Sequence, residues 1–221
     1  MRVVLQTADR VALVGSFEPG TSKGAVLLLH MMPADRTSWG ALQTALVERG
    51  VASLAIDLRG HGESLIQGDR RLDYQTFQDE DHQASLLDVD AALTWLAHRG
   101  HPAGSVALVG ASIGANLALV TAAHITAIPA VALLSPGENY RGVQTFEAAR
   151  QLAPTQAVWA AASQGDDQQS FDDTRRILDL VKSSDKSFHP YTSAGHGTIL
   201  FQTDPQLIDT LADWIAAHFK V

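Results

Sequence analysis

Short runs of almost wholly apolar residues recur along this chain, separated by longer segments with helical periodicity. The runs are Val11–Phe17, Ala25–Leu29, Ala52–Ile56, Val106–Val109, Ala130–Leu134 and Val158–Ala162. From the second onward they are nearly all apolar, the pattern of strands covered on both faces. Between them, Leu86, Val89, Leu93 and Leu96 mark one face of a predicted helix within Asp81–Arg99. Leu207, Leu211, Trp214, Ile215 and Phe219 form a second such stripe near the C-terminus. Alternation of this kind implies an α/β fold, a parallel sheet with helices on both sides. Val3–Gln6 and Val11–Phe17, joined by the polar turn Thr7–Arg10, read as an antiparallel entry hairpin. No linker, internal repeat or low-complexity tract divides the chain, so residues 1–221 are read as a single domain.

Composition narrows the function classes. Lys and Arg number 16 against 24 Asp and Glu, a net charge of −8 with no basic block. That argues against a nucleic-acid partner, which needs clustered cations against phosphate, and against an anionic membrane surface. There is no cysteine. Disulfides, thiolate metal sites and a cysteine nucleophile are thereby removed, and a reducing compartment is suited. The N-terminal stretch lacks the apolar region of a signal peptide, because Asp9 and Arg10 interrupt it. The longest uncharged apolar run, Gly24–Leu29, is far too short to span a bilayer. A cytoplasmic location is expected.

The glycines gather just after predicted strand ends: Gly60 and Gly62, Gly110 and Gly114, Gly137, Gly165, Gly195 and Gly197. Ligands of parallel sheets bind beyond the carboxyl ends of the strands. The strongest local signal is Gly110-Ala111-Ser112-Ile113-Gly114, between the strand Val106–Val109 and the helical stretch Ala115–Ala123. Gly-x-Ser-x-Gly in that context is a nucleophile elbow. The turn is so sharp that the residues two before and two after the serine need almost no side chain. Ser112 is left at a helix N-terminus, whose dipole favours a developing anion.

A serine hydroxyl needs a base. Of the nine histidines, His196 lies in Ser193-Ala194-Gly195-His196-Gly197, after the last predicted strand, Ser187–Tyr191, and before the final helix. The chain order serine, acid, histidine is the one an elbow requires. His30 and His61 precede the serine and read as structural or oxyanion-loop residues. The acid belongs after Val158–Ala162, where Ser163-Gln164-Gly165-Asp166-Asp167 follows. Asp166 is assigned, with Asp167 the alternative. Its role is to hold the imidazole in one tautomer and stabilise the imidazolium. Asp172 and Asp173 read as first-turn helix residues. For the oxyanion, one donor is the backbone N–H of Ile113 and the other that of Met32, in the loop His30-Met31-Met32-Pro33.

Leu27-Leu28-Leu29-His30, Trp39, the segment Asp57-Leu58-Arg59-Gly60-His61-Gly62-Glu63-Ser64, Gly110–Gly114 and Gly195-His196-Gly197 occur in that order. Together they resemble the α/β-hydrolase superfamily, over nearly the whole chain. The resemblance implies an eight-stranded, mostly parallel sheet and a Ser112–Asp166–His196 triad, with Met32 and Ile113 at the oxyanion positions. The chain departs from the family in having His-Met-Met where many members have His-Gly. The resemblance also implies no separate cap domain: the interval from Ser135 to Gln156 is about 22 residues with one short helix near Gln144–Leu152. In size the chain is similar to small carboxylesterases and dienelactone-hydrolase-like members, although the dienelactone hydrolases themselves use cysteine.

The function so implied is hydrolysis of small, short-chain carboxylic esters through an acyl-enzyme, with no metal or organic cofactor. Thioesters and activated amides stay open, as does a non-catalytic binding protein of the same fold. Haloalkane dehalogenation is set aside, because it needs a carboxylate at position 112.

Overall fold

The computed structural model describes residues 1–22, 24–165 and 169–219. Eight strands carry the sheet: β1 (Arg2–Gln6), β2 (Val11–Glu18), β3 (Ala25–Leu29), β4 (Ala52–Ile56), β5 (Val106–Ala111), β6 (Ala130–Leu134), β7 (Ala157–Ser163) and β8 (Lys186–Tyr191). Their spatial order is β1-β2-β4-β3-β5-β6-β7-β8. The first hairpin is antiparallel, β2 meets β4 antiparallel, and all remaining pairs are parallel. The eight-stranded, mostly parallel sheet and its antiparallel entry hairpin are as expected. One addition was not expected: Ile66–Gln67 pairs with the free end of β2 and then with Arg70–Arg71, making a ten-stranded sheet.

The apolar runs divide by strand periodicity between two cores. In β3, Leu27 and Leu29 face one core while Val26 and Leu28 face the other, and all four are fully buried. The first core lies under helices α2 (Leu86–His98), α3 (Ile113–His124), α4 (Phe146–Gln151) and α5 (Ser170–Leu180). The second lies under α1 (Gly40–Glu48) and α6 (Gln206–Ala217), with Trp39 and Trp159 as its largest members. Each fully buried Leu or Val contributes about 1.5–3 kcal/mol relative to exposure, so the centre of the sheet is a rigid platform for the loops at its carboxyl edge.

One helical expectation needs adjusting. The helix anticipated over Asp81–Arg99 is in two pieces, Asp79–Gln83 and α2. Between them the chain tightens through the bonds Ser85 N–H to His82 O (3.1 Å) and Leu87 N–H to Ala84 O (3.0 Å). The Ser135–Gln156 interval holds α4 as expected, preceded by a hairpin of Asn139–Tyr140 with Val143–Gln144. Two-residue strands carry no periodicity, so no hydrophobic pattern in the sequence marked them. Among the described residues, no helix is long and apolar enough to cross a membrane.

Candidate active site

The turn at Ser112 is built by the close approach of two glycines to backbone. A Cβ on Gly110 would collide with the backbone of Gly114, and a Cβ on Gly114 would collide with the carbonyls of Leu29 and His30. Between them Ser112 has φ 54° and ψ −121°, a conformation costing a non-glycine residue on the order of 1–3 kcal/mol. The strain is held by the surroundings. Ser112 N–H donates to Leu134 O (2.8 Å), and Ser112 O accepts from Ala115 N–H (2.9 Å) and Asn116 N–H (3.1 Å) as α3 begins. Among the described residues the Ser112 hydroxyl has no hydrogen-bond partner, and it opens into a cleft of about 510 Å³.

His196 lines the same cleft. Its loop is pinned on both sides. Ala194 N–H donates to the Ser163 hydroxyl (2.9 Å) at the end of β7, and Gly197 N–H donates to the Ser135 hydroxyl (2.9 Å) just past β6. The His196 ring meets Tyr140 edge to face, with centroids 6.1 Å apart. The expected acid, Asp166, and its alternative, Asp167, lie outside the described residues. Gly165, immediately before them, donates its N–H to Thr192 O (3.0 Å), in the loop that carries His196.

Met31, Met32, Pro33 and Ile113 also line the cleft. Among the described residues the amides of Met32 and Ile113 donate to no acceptor in the chain. The loop that carries Met32 is held by His30, which is fully buried. Its Nδ1–H donates to Met31 O (2.9 Å), and its Nε2 accepts from Leu58 N–H (3.0 Å), which fixes the tautomer. Burial pushes its pKa down to about 4, so the ring is neutral. His61 packs edge-on against His30 and stacks on Tyr74 at 4.0 Å. Burial lowers its pKa to about 4 as well, with His30 adding to the effect. Both histidines are therefore structural, as their position before the serine suggested.

The Asp57–Ser64 segment supports this loop from behind. The Asp57 carboxylate accepts from the backbone N–H of Arg36 and of Glu63, each at 2.8 Å, and pairs with the Arg36 guanidinium. The Ser64 hydroxyl donates to Asp57 O (2.7 Å) and accepts from Val14 N–H (2.9 Å). Arg59 is buried between Asp88 and Asp9. The motif is a bracket and none of its residues lines the cleft.

Sequence reasoning missed one wall of the site. Asn139, Tyr140 and Arg141 of the short hairpin, and Ile199 beyond His196, complete the lining. The hairpin is tied to the elbow helix by Asn116, which is fully buried. Asn116 Nδ2 donates to Val143 O (2.8 Å), and its Oδ1 accepts from Gly137 N–H (3.1 Å). The one available signal was the Arg141-Gly142 turn dipeptide. Among the described residues no cluster of His, Asp and Glu is arranged to hold a metal.

A family model for the alpha/beta hydrolase fold matches residues 24–196. A search of curated proteins finds no match. Among solved structures, an esterase of Pyrococcus furiosus superposes with a TM-score of 0.81 at 16% identity, covering 100% of this chain and 91% of that one. The esterase domain of a Rhodothermus marinus protein gives 0.73 at 16% identity, covering 98% of each chain. A monoacylglycerol lipase of Paleococcus ferrophilus gives 0.73 at 17% identity, covering 93% of this chain and 99% of that one.

Proposed function

The chain belongs to the α/β-hydrolase fold family, and on that premise we propose that it is a serine hydrolase of small carboxylic esters. The observation that carries this reading is the strained Ser112, whose hydroxyl opens into a cleft it shares with His196. Strain of this kind persists only where the surroundings enforce it, and it clusters at sites of chemistry.

In the proposed reaction Ser112 Oγ attacks the ester carbonyl while its proton passes to His196. The tetrahedral oxyanion is stabilised by the N–H groups of Met32 and Ile113, each donor contributing on the order of 3 kcal/mol. The C–O bond to the alcohol then breaks, and the departing oxygen takes the proton back from the imidazolium. Water, deprotonated by His196, attacks the acyl-enzyme, the acyl–Oγ bond breaks, and Ser112 Oγ takes the proton back from the imidazolium as the acid leaves. Asp166 orients the imidazole. Since the Ser112 hydroxyl has no hydrogen-bond partner among the described residues, its contact with His196 tightens when substrate arrives. No step calls for a cofactor.

The test combines a fluorophosphonate probe with p-nitrophenyl esters. Labelling at Ser112, and a fall in kcat of about 10³-fold or more in folded Ser112→Ala, are expected, because triad members act as a unit. Near-normal esterase activity in that variant overturns the mechanism. A folded wild-type protein that neither labels nor hydrolyses esters is a binding protein of this fold.

A further inference from the structure

Among the described residues Arg141 has no ion-pair partner. Arg36, Arg49 and Arg59 all rest on carboxylates. No carboxylate of the described residues lies within ion-pair distance of Arg141, although Asp79 packs beside the adjacent Gly142. Arg141 and Gly142 are the central residues of the hairpin turn, with φ of 53° and 81°. Such a turn favours Asn, Asp or Gly at its first central position, because positive φ costs other residues free energy. Turn chemistry therefore disfavours arginine here, and packing does not require it, since the side chain is exposed.

The backbone beneath Arg141 is held firmly. Gly142 N–H donates to Asn139 Oδ1 (2.8 Å), and Asn116 clamps Val143 from one turn into the helix that starts after Ser112. The cation is thus indexed to the nucleophile. It lines two adjoining grooves: the cleft with Ser112 and His196, and a second of about 260 Å³ floored by Tyr74, Phe77 and His82. Met32 and Pro33 belong to both, and among the described residues neither groove is lined by an Asp or Glu. On a chain of net charge −8, this is a trough with no carboxylate among its described lining residues, and Arg141 stands in that lining on a firmly held turn.

We infer that Arg141 selects anionic esters: the substrate carries a carboxylate several atoms from the scissile carbonyl, and its body lies against Met32, Tyr74 and Phe77. The planar guanidinium suits a carboxylate bidentately, and a neutral ester gains nothing from it. This rests on the reading of Ser112 as nucleophile. The carboxylate stands away from the reacting bond, so its contact is equal in ground and transition states and acts through KM.

The test reads ratios of kcat/KM, so any general change in activity cancels. In one pair the anion para-acetoxybenzoate is compared with neutral para-acetoxybenzamide. In the other, mono-p-nitrophenyl adipate is compared with p-nitrophenyl heptanoate. The two pairs place the carboxylate on the alcohol and acyl sides. In at least one pair, Arg141→Gln is expected to lower the anionic-to-neutral ratio about tenfold, the scale of one charge-assisted contact. The loss should fall on KM, with partial recovery in Arg141→Lys. A ratio unmoved by Arg141→Gln in both pairs overturns the inference. Should the wild type turn over no ester and fail to label, the reading of Ser112 fails and calorimetry with adipate and para-hydroxybenzoate decides the anion site alone. Saturable binding abolished by Arg141→Gln supports it, and no binding, or binding that survives the substitution, overturns it.

Discussion

The backbone amide of Gly197 donates to the hydroxyl of Ser135 across 2.9 Å, so the loop that carries His196 is fastened to the end of the strand beside the elbow strand. Ser135 is fully buried and itself has φ 50°. Two bends at the carboxyl edge of the sheet hold each other, and the loop of His196, the proposed general base, is positioned by a residue outside the proposed triad. Ser135→Ala leaves a buried N–H without a partner, a loss of about 1–3 kcal/mol. We expect a small fall in Tm and a fall in kcat with little change in KM. Wild-type kcat in the variant would show that the loop is held without this bond.

The acid is decided by a pair of single substitutions. Asp166 and Asp167 are adjacent in the chain, and the proposed mechanism needs only one of them to orient His196. Asp166→Asn is expected to cost far more kcat than Asp167→Asn, because the wrong imidazole tautomer is then favoured. The opposite ranking reassigns the acid to Asp167 and spares the rest of the mechanism.

Acyl-chain preference follows from what covers the cleft. The hairpin at Asn139–Gln144 adds a wall, yet the cleft stays near 510 Å³, and among the described residues no separate cap covers it. Each further CH₂ of substrate contributes about 0.8 kcal/mol only where protein covers it. Among p-nitrophenyl esters, kcat/KM should peak between acetate and butyrate and fall by octanoate. No jump in rate is expected when substrate becomes micellar. A preference for palmitate would mean that the hairpin closes over long chains.

Stability should fall on mild acidification through His30 and His61. Their imidazoles are held neutral by burial, with pKa lowered from 6.5 to about 4. Between those values the unfolded chain binds protons that the folded chain refuses. The stability contributed by the neutral rings is thus complete above pH 6.5 and is lost as pH falls toward 4. Unfolding near pH 5 should take up about two protons from this pair. His61→Phe keeps the stack on Tyr74 and removes one of them. Melts followed by circular dichroism from pH 7 to 5 should show a shallower decline in that variant. Identical slopes would mean that His61 titrates normally in the folded protein.

Much of this was legible in the residues. A five-residue run such as Ala25–Leu29 can be buried on both faces only inside a sheet covered by helices, and the two glycines around Ser112 leave a single tight turn. These are local requirements, set by side-chain volume and backbone sterics over a few positions, and the sequence alone decides them. The hairpin at Asn139–Gln144 is different. Its strands are too short for any period, and it exists because Asn116, over 20 residues away, satisfies Val143 and Gly137. The bond from Gly197 to Ser135 spans 62 residues, and nothing near either position announces it. Arg141 is one exposed charge among many until the chain folds it into the lining of the cleft that also holds Ser112. Local sterics act between neighbours in sequence, whereas hydrogen-bond partners and electrostatic neighbours are chosen by distance in space, which only the tertiary structure decides.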